Sequence, residues 1–134
     1  MTPVLVDSNV LLDVLASDAR WAPWSSTALA ALANESVLVI NPVIYAEISI
    51  RFESIEALDE VLPTELYRRD AIPYSASYLA GKAYVRYRDR GGKRRSLLPN
   101  FLIGAHAAVS GFRMLTRDPK RYRSYFPSLE LISP

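Results

Sequence analysis

The 134 residues hold no cysteine, one histidine and a formal net charge of +2, and half of them are hydrophobic. This composition excludes a disulfide scaffold, a thiolate metal site and a disordered chain, and no apolar run reaches the roughly 18 residues of a membrane span. The start, MTPVLVDSN, lacks the charged onset and long apolar run of a signal peptide, so one cytoplasmic domain over residues 1–134 is expected.

In chain order, PVLV (3–6) is a short apolar run of the buried-strand kind that ends at Asp7-Ser8, and NVLLDVLAS (9–17) has helical spacing. SSTALAALAN (25–34) predicts a second helix with Ser25 or Ser26 as its cap. SVLVIN (36–41) is another buried strand. Asn41-Pro42 then opens a third helix, with Asn as N-cap and Pro at the first helical position. SIEALDEVLP (54–63) is a short amphipathic helix with Ile55, Leu58 and Leu62 on one side, and RRDAI (68–72) reads as a short strand. Pro73-Tyr74-Ser75 opens a long helix to about Arg90, which Gly91-Gly92 ends. The next helix runs from about Asn100, a good N-cap, to Val109 or Ser110, with Gly111 as its stop. FRMLT (112–116) is a strand, Asp118-Pro119 starts a short helical piece, and LELIS (129–133) is a final strand. Short apolar strands alternating with helices predict an α/β fold: three layers, α/β/α, around a mainly parallel sheet of about five strands.

Parallel strands bring their carboxyl ends to one rim, where functional groups gather. Asp7 follows the first strand and Asp118 follows FRMLT, so both belong to that rim. Glu47 lies in the helix after the second strand with apolar residues nearly all round it, and an ionised carboxylate in such surroundings needs a partner. Each acid also has a plain explanation. Asp7 and Asp118 stand where helix caps stand, and Glu47 precedes Arg51 by four residues, the better order for a helix ion pair. Capping does not explain why acids recur at one rim. Gathered carboxylates repel by roughly 4 kcal/mol at 4 Å and an effective dielectric near 20, so they take up protons or bind a cation. With no cysteine, oxygen ligands are expected, which favours Mg²⁺ or Mn²⁺ over zinc and suits phosphodiester hydrolysis.

The charge is unevenly spread. Residues 1–67 carry ten acids and two bases, and residues 68–134 carry four acids and fourteen bases. RYRDRGGKRRS contains Arg86, Arg88, Arg90, Lys93, Arg94 and Arg95, with Tyr84 and Tyr87 close by. RDPKRYRSYF contains Arg117, Lys120, Arg121 and Arg123, with Tyr122 and Tyr125. Arginines pair with phosphates and tyrosines stack on unpaired bases, so Arg86, Arg88, Lys93, Arg94, Arg95, Arg117, Lys120 and Arg121 are candidates to contact RNA. Bases placed to match a helix dipole account for Arg88 and for Arg90, not for the run past the diglycine. His106 lies six positions beyond Asn100, off its face, and reads as a packing or surface histidine. Gly104 and Ala107 share the face of Asn100, where small side chains let the helix approach the sheet.

Four segments together resemble a PIN domain, in particular the VapC toxins of type II toxin–antitoxin systems: VLVDSNVLLDVL, NPVIYAEI, LPNFLIGAHA and LTRDPKRYRSYFP. The resemblance covers the whole chain. It implies a Mg²⁺-dependent ribonuclease toxin, acting on RNA of the tRNA or rRNA class, with a cognate VapB antitoxin as partner and a homodimeric state. By position it implies that Asp7, Glu47, Asn100 and Asp118 form the catalytic and metal-binding set, with Ser8 and Thr116 orienting water or an acidic neighbour.

Asn100 departs from that pattern, since the family has its third acid there. Asn keeps the shape and a carbonyl oxygen but brings no charge, and Asp would cap a helix equally well. The expectation is therefore an Asp→Asn form with weak metal binding and impaired cleavage. The alternative is a naturally silent PIN-fold module that binds RNA or antitoxin. A response-regulator receiver would need an acidic pair at its first strand, and a haloacid-dehalogenase-type phosphatase an acid at Asn9; the sequence has neither.

Overall fold

The computed structural model describes residues 2–93 and 97–134. Five strands, all parallel, form one sheet: β1 (Val4–Val6), β2 (Leu38–Ile40), β3 (Tyr67–Arg69), β4 (Arg113–Leu115) and β5 (Leu131–Ile132), in the spatial order β3-β2-β1-β4-β5. The chain steps outward from β1 to β3, then returns across the sheet to lay β4 on the other side of β1. The strand order thus reverses between β1 and β4, and a crevice opens at the carboxyl ends of such a pair. The strands are only two or three residues long. β1 and β2 are buried throughout, as strands covered on both faces must be, which is why they read as unbroken apolar runs.

Among the described residues seven helices join the strands: α1 (Ser8–Leu15), α2 (Ala22–Glu35), α3 (Pro42–Ser49), α4 (Ile55–Val61), α5 (Tyr74–Asp89), α6 (Leu98–Ser110) and α7 (Pro119–Arg123). α1 packs on α2 and α3, α5 packs along α6, and α3 also touches α6. Val4, Leu5, Val6, Val39, Ile44, Ile48, Ile103 and Met114 are wholly inaccessible and form the centre of the core.

Local chemistry explains most helix ends. The Asn41 side chain accepts from Ile44 N at 2.9 Å, capping α3 as expected, and Ser54 accepts from Ala57 N at 3.1 Å, capping α4. Gly111 terminates α6 at φ +69°, a left-handed conformation that glycine enters without steric cost.

Several sequence expectations need correction. α2 begins three residues before Ser25, because Asp18 Oδ1 accepts from the backbone N–H of Arg20 and of Trp21 and turns the chain early. Ser25 is no cap; it is buried and donates to Asp13. α6 starts at Leu98, so Asn100 sits inside the first turn and is not its cap. β3 spans Tyr67–Arg69 instead of 68–72. Ile55 is 66% exposed, while Leu58 and Leu62 alone face the core.

Gly104 makes room for aromatic rings, not for the sheet. A Cβ there would lie 2.6 Å from the Phe126 ring and 2.9 Å from the Tyr122 ring, both buried. Gly104→Ala is expected to cost about 1–3 kcal/mol by overpacking and to displace Tyr122. A urea midpoint unchanged from the parent would refute this.

Candidate metal centre

Asp7 leaves the end of β1 at the point of strand reversal and is 2% exposed. It occupies the N-cap position of α1 but makes no side-chain capping bond. Its Oδ2 instead accepts from Thr116 Oγ1 at 2.8 Å and from Tyr122 OH at 2.9 Å, and both donors are fully buried. Oδ1 has no side-chain donor among the described residues. Thr116 Oγ1 also accepts from Asp118 N at 3.0 Å, so one hydroxyl ties the β4–α7 turn to Asp7.

Glu47 projects from α3 and is half-buried. Ser8 Oγ donates to its Oε1 at 2.8 Å, across 39 positions of sequence. Among the described residues Glu47 makes no ion pair with Arg51, so the helix-pair explanation fails. Ser8 and Thr116 each hold an acidic neighbour, one of the two roles expected of them.

Burial pushes the Asp7 carboxyl above its ordinary value, against the hydrogen bonds from Thr116 and Tyr122 and the charge of Arg121. Burial likewise raises Glu47; the Ser8 bond opposes this and the nearby charge of Asp7 adds to it. The Tyr122 hydroxyl is driven well above its usual range by burial and then by Asp7. Tyr122 therefore does not stack on a base: it is buried as a hydrogen-bond donor to the central carboxylate. The sequence shows it only as one of several tyrosines in a basic stretch, because its partner lies 115 positions away.

The Asp118 backbone N–H bonds to Thr116 Oγ1, and its carboxylate is turned to Arg121, whose Nη2 lies 3.2 Å from its Oδ2. It makes no side-chain cap to α7. Asn100, in the first turn of α6, is partly exposed and makes no side-chain hydrogen bond among the described residues. Among these residues no group of three or more His, Cys, Asp or Glu side chains is placed so that it could hold a metal ion. The structure brings Asp7 and Glu47 into electrostatic contact, while the Asp118 carboxylate is engaged by Arg121.

The basic candidates divide. Arg117 forms a bidentate pair with Asp13, Nε–Oδ2 at 2.8 Å and Nη2–Oδ1 at 3.0 Å, and lies over the Trp21 ring at 5.3 Å. Asp13 is 3% exposed, so this guanidinium is committed to a carboxylate instead of standing free for phosphate. Sequence reasoning missed Asp13, whose partner is 104 positions away. Arg86 reaches the Tyr125 carbonyl at 3.4 Å. Arg88, Lys93 and Lys120 are exposed, and Arg94 and Arg95 lie outside the described residues.

His106 is buried, as a packing histidine is, and its Nδ1 lies 3.0 Å from Asn41 Nδ2. Since Asn41 Oδ1 accepts from Ile44 N, Nδ2 donates and Nδ1 accepts, which places the ring proton on Nε2. Burial holds the imidazole pKa below its usual value. The neutral ring thus supports the cap of the helix that carries Glu47.

No protein-family model matches the chain, and neither does any curated protein sequence. Solved structures do. A chain of VapBC2 from Rickettsia felis, solved with a promoter DNA fragment, superposes with a TM-score of 0.74 at 15% identity over 98% of each chain. The fold is PIN-like. VapBC-1 from nontypeable Haemophilus influenzae shares this PIN-like fold at a TM-score of 0.73 and 15% identity, over 98% of this chain and 97% of that one. A toxin–antitoxin complex from Klebsiella pneumoniae follows at 0.61 and 19%, over 96% and 95%. At such identities the likeness is one of PIN-like architecture.

Proposed function

We propose that this chain is the ribonuclease toxin of a type II toxin–antitoxin system. In this reading it hydrolyses RNA phosphodiester bonds at a Mg²⁺ or Mn²⁺ site, acts in the cytoplasm as a homodimer, and is neutralised by a VapB-type antitoxin. One observation carries the reading: a buried carboxylate, Asp7, is fixed by two dedicated hydroxyls beside Glu47 at the switch point of a fold shared with VapBC proteins.

Two carboxylates, Asp7 and Glu47, suit a hard divalent cation. Mg²⁺ is commonly bound by one or two carboxylates and keeps several waters, so Asp7 and Glu47 would form its anionic core, and Asp118 and the Asn100 carbonyl would add further oxygen donors. Burial disfavours both charges in the metal-free chain, and a cation relieves that penalty. When bound, the ion supplies the positive charge that phosphodiester hydrolysis calls for. Thr116 and Tyr122 hold Asp7 through Oδ2, and Ser8 holds Glu47 through Oε1. Arg121 keeps Asp118 at the edge of the site and its charge is felt by Asp7, Glu47 and Tyr122.

Asn100 removes one negative charge from this set, and the chain is accordingly an impaired, Asp→Asn-type enzyme. Asn100→Asp places a carboxylate in the first turn of α6, where the helix dipole favours it. It is expected to strengthen Mg²⁺ binding and raise cleavage of tRNA or ribosomal RNA by about a hundredfold or more. A folded Asn100→Asp protein that cleaves neither RNA refutes the nuclease reading. That result would favour the silent binding module, to which the neutral Asn100 and the Arg121–Asp118 pair also point.

A further inference from the structure

Beside Asp118, on the side of α5, α6 and α7, a cavity of ≈ 330 Å³ opens to solvent. Tyr87 and Tyr125, Leu97 and Phe101, and Lys120 and Arg121 make most of its wall. Aromatic rings stiffen it: Tyr125 meets Phe101 edge-on at 5.1 Å and Tyr87 at 6.3 Å, and Arg90 lies over the Tyr125 ring at 5.3 Å. Arg86 fixes the backbone of the same residue through the Tyr125 carbonyl. Tyr125 is thus a rigid aromatic edge in a cationic surround, and it shares a wall with a residue of the candidate metal centre.

The geometry points to a subsite for one unpaired nucleotide of the RNA strand, its base against Tyr125 and its phosphate on Lys120. This rests on the nuclease reading and deepens it. The volume lies at the low end for small-molecule sites, enough for a single nucleotide and too small for a duplex. Arg121 is already paired with Asp118, so among the described lining residues exposed Lys120 is the cation left to meet a phosphate, with Arg88 and Lys93 on the same basic segment as Arg90. An apolar peptide side chain would fill the wall equally well but leaves these cations unmatched. The site therefore selects single-stranded RNA, and a nucleotide held there places the adjoining phosphodiester next to Asp118.

The test uses the full chain with single-stranded RNA carrying 2-aminopurine, bound in the presence of EDTA so that no divalent ion supports cleavage. Stacking in the cavity is expected to change the 2-aminopurine fluorescence on binding. Tyr125→Leu is expected to abolish that change and weaken binding by about ten- to a hundredfold. Lys120→Gln, at an exposed position where folding is not at stake, is expected to retain the change, weaken binding by a few-fold and lower the salt slope by about one. Tight binding of the parent with no fluorescence change, or an affinity and salt slope unaltered in Lys120→Gln, overturns the subsite and leaves the cavity to a protein partner. Neither result bears on cleavage by Asn100→Asp, so the subsite and the nuclease reading fail separately.

Discussion

Arg117→Met is expected to lower stability by about 3–5 kcal/mol, the range for removing one partner of a buried ion pair. For a chain of this size that is a fall in Tm on the order of 10–20 °C. The loss is large because Asp13, at 3% exposure, would keep only the Ser25 hydroxyl as a side-chain donor. Removing the other partner is milder. In Asp13→Asn the guanidinium, already 30% exposed, turns to water, and the expected cost is about 1–2 kcal/mol. Replacing both by apolar residues recovers much of the loss. Thermal denaturation of the three variants checks the order; equal losses in the two single variants would show that the pair does not divide into a buried anion and a part-exposed cation. The same pair pins the turn that carries Thr116 and Asp118, so Arg117→Met should also weaken Mg²⁺ binding.

The second large effect is a gain. Asp7→Asn is expected to raise the stability of the metal-free chain at pH 7 by about 1–3 kcal/mol, because it removes a buried charge and keeps an oxygen for Thr116 and Tyr122. The folded pKa of Asp7 is raised above 3.8, so the folded state favours the protonated acid. Its favourable contribution is full below the ordinary carboxylate value and is lost as pH rises through the folded pKa. The advantage of Asp7→Asn over the parent should therefore shrink as pH falls from 7 toward 4. His106 acts in the opposite sense, since its pKa is depressed and its support is lost on acidification, but it is common to both proteins and cancels in the difference. Mg²⁺ should raise the Tm of the parent and leave Asp7→Asn unmoved. An Asp7→Asn protein less stable than the parent at neutral pH would show that the carboxylate is no burden there, and that burial is not what prepares the site for a cation.

Much of the architecture was legible along the chain, for a physical reason. A strand covered on both faces is an uninterrupted apolar run, so VLV and LVI marked themselves. Asn41-Pro42, Gly91 and Gly111 marked helix ends because caps and left-handed turns are satisfied within a few residues. Where a nearby residue competed, the local reading slipped: Asp18 drew α2 back from Ser25, and Leu98 and Pro99 drew α6 past Asn100.

What the sequence determined by itself was the inventory: an acid after β1, a second in α3, a third after β4, a neutral amide in the first turn of α6, and a basic second half. Only the tertiary structure decided what those groups do to one another. It gave Asp7 to Thr116 and Tyr122, Glu47 to Ser8, Asp118 to Arg121, and Arg117 to Asp13. Most of these bonds join residues 39 to 115 positions apart. Periodicity and capping report only neighbours a few residues away, and a parallel sheet makes its pairings after each chain segment has crossed to the next strand.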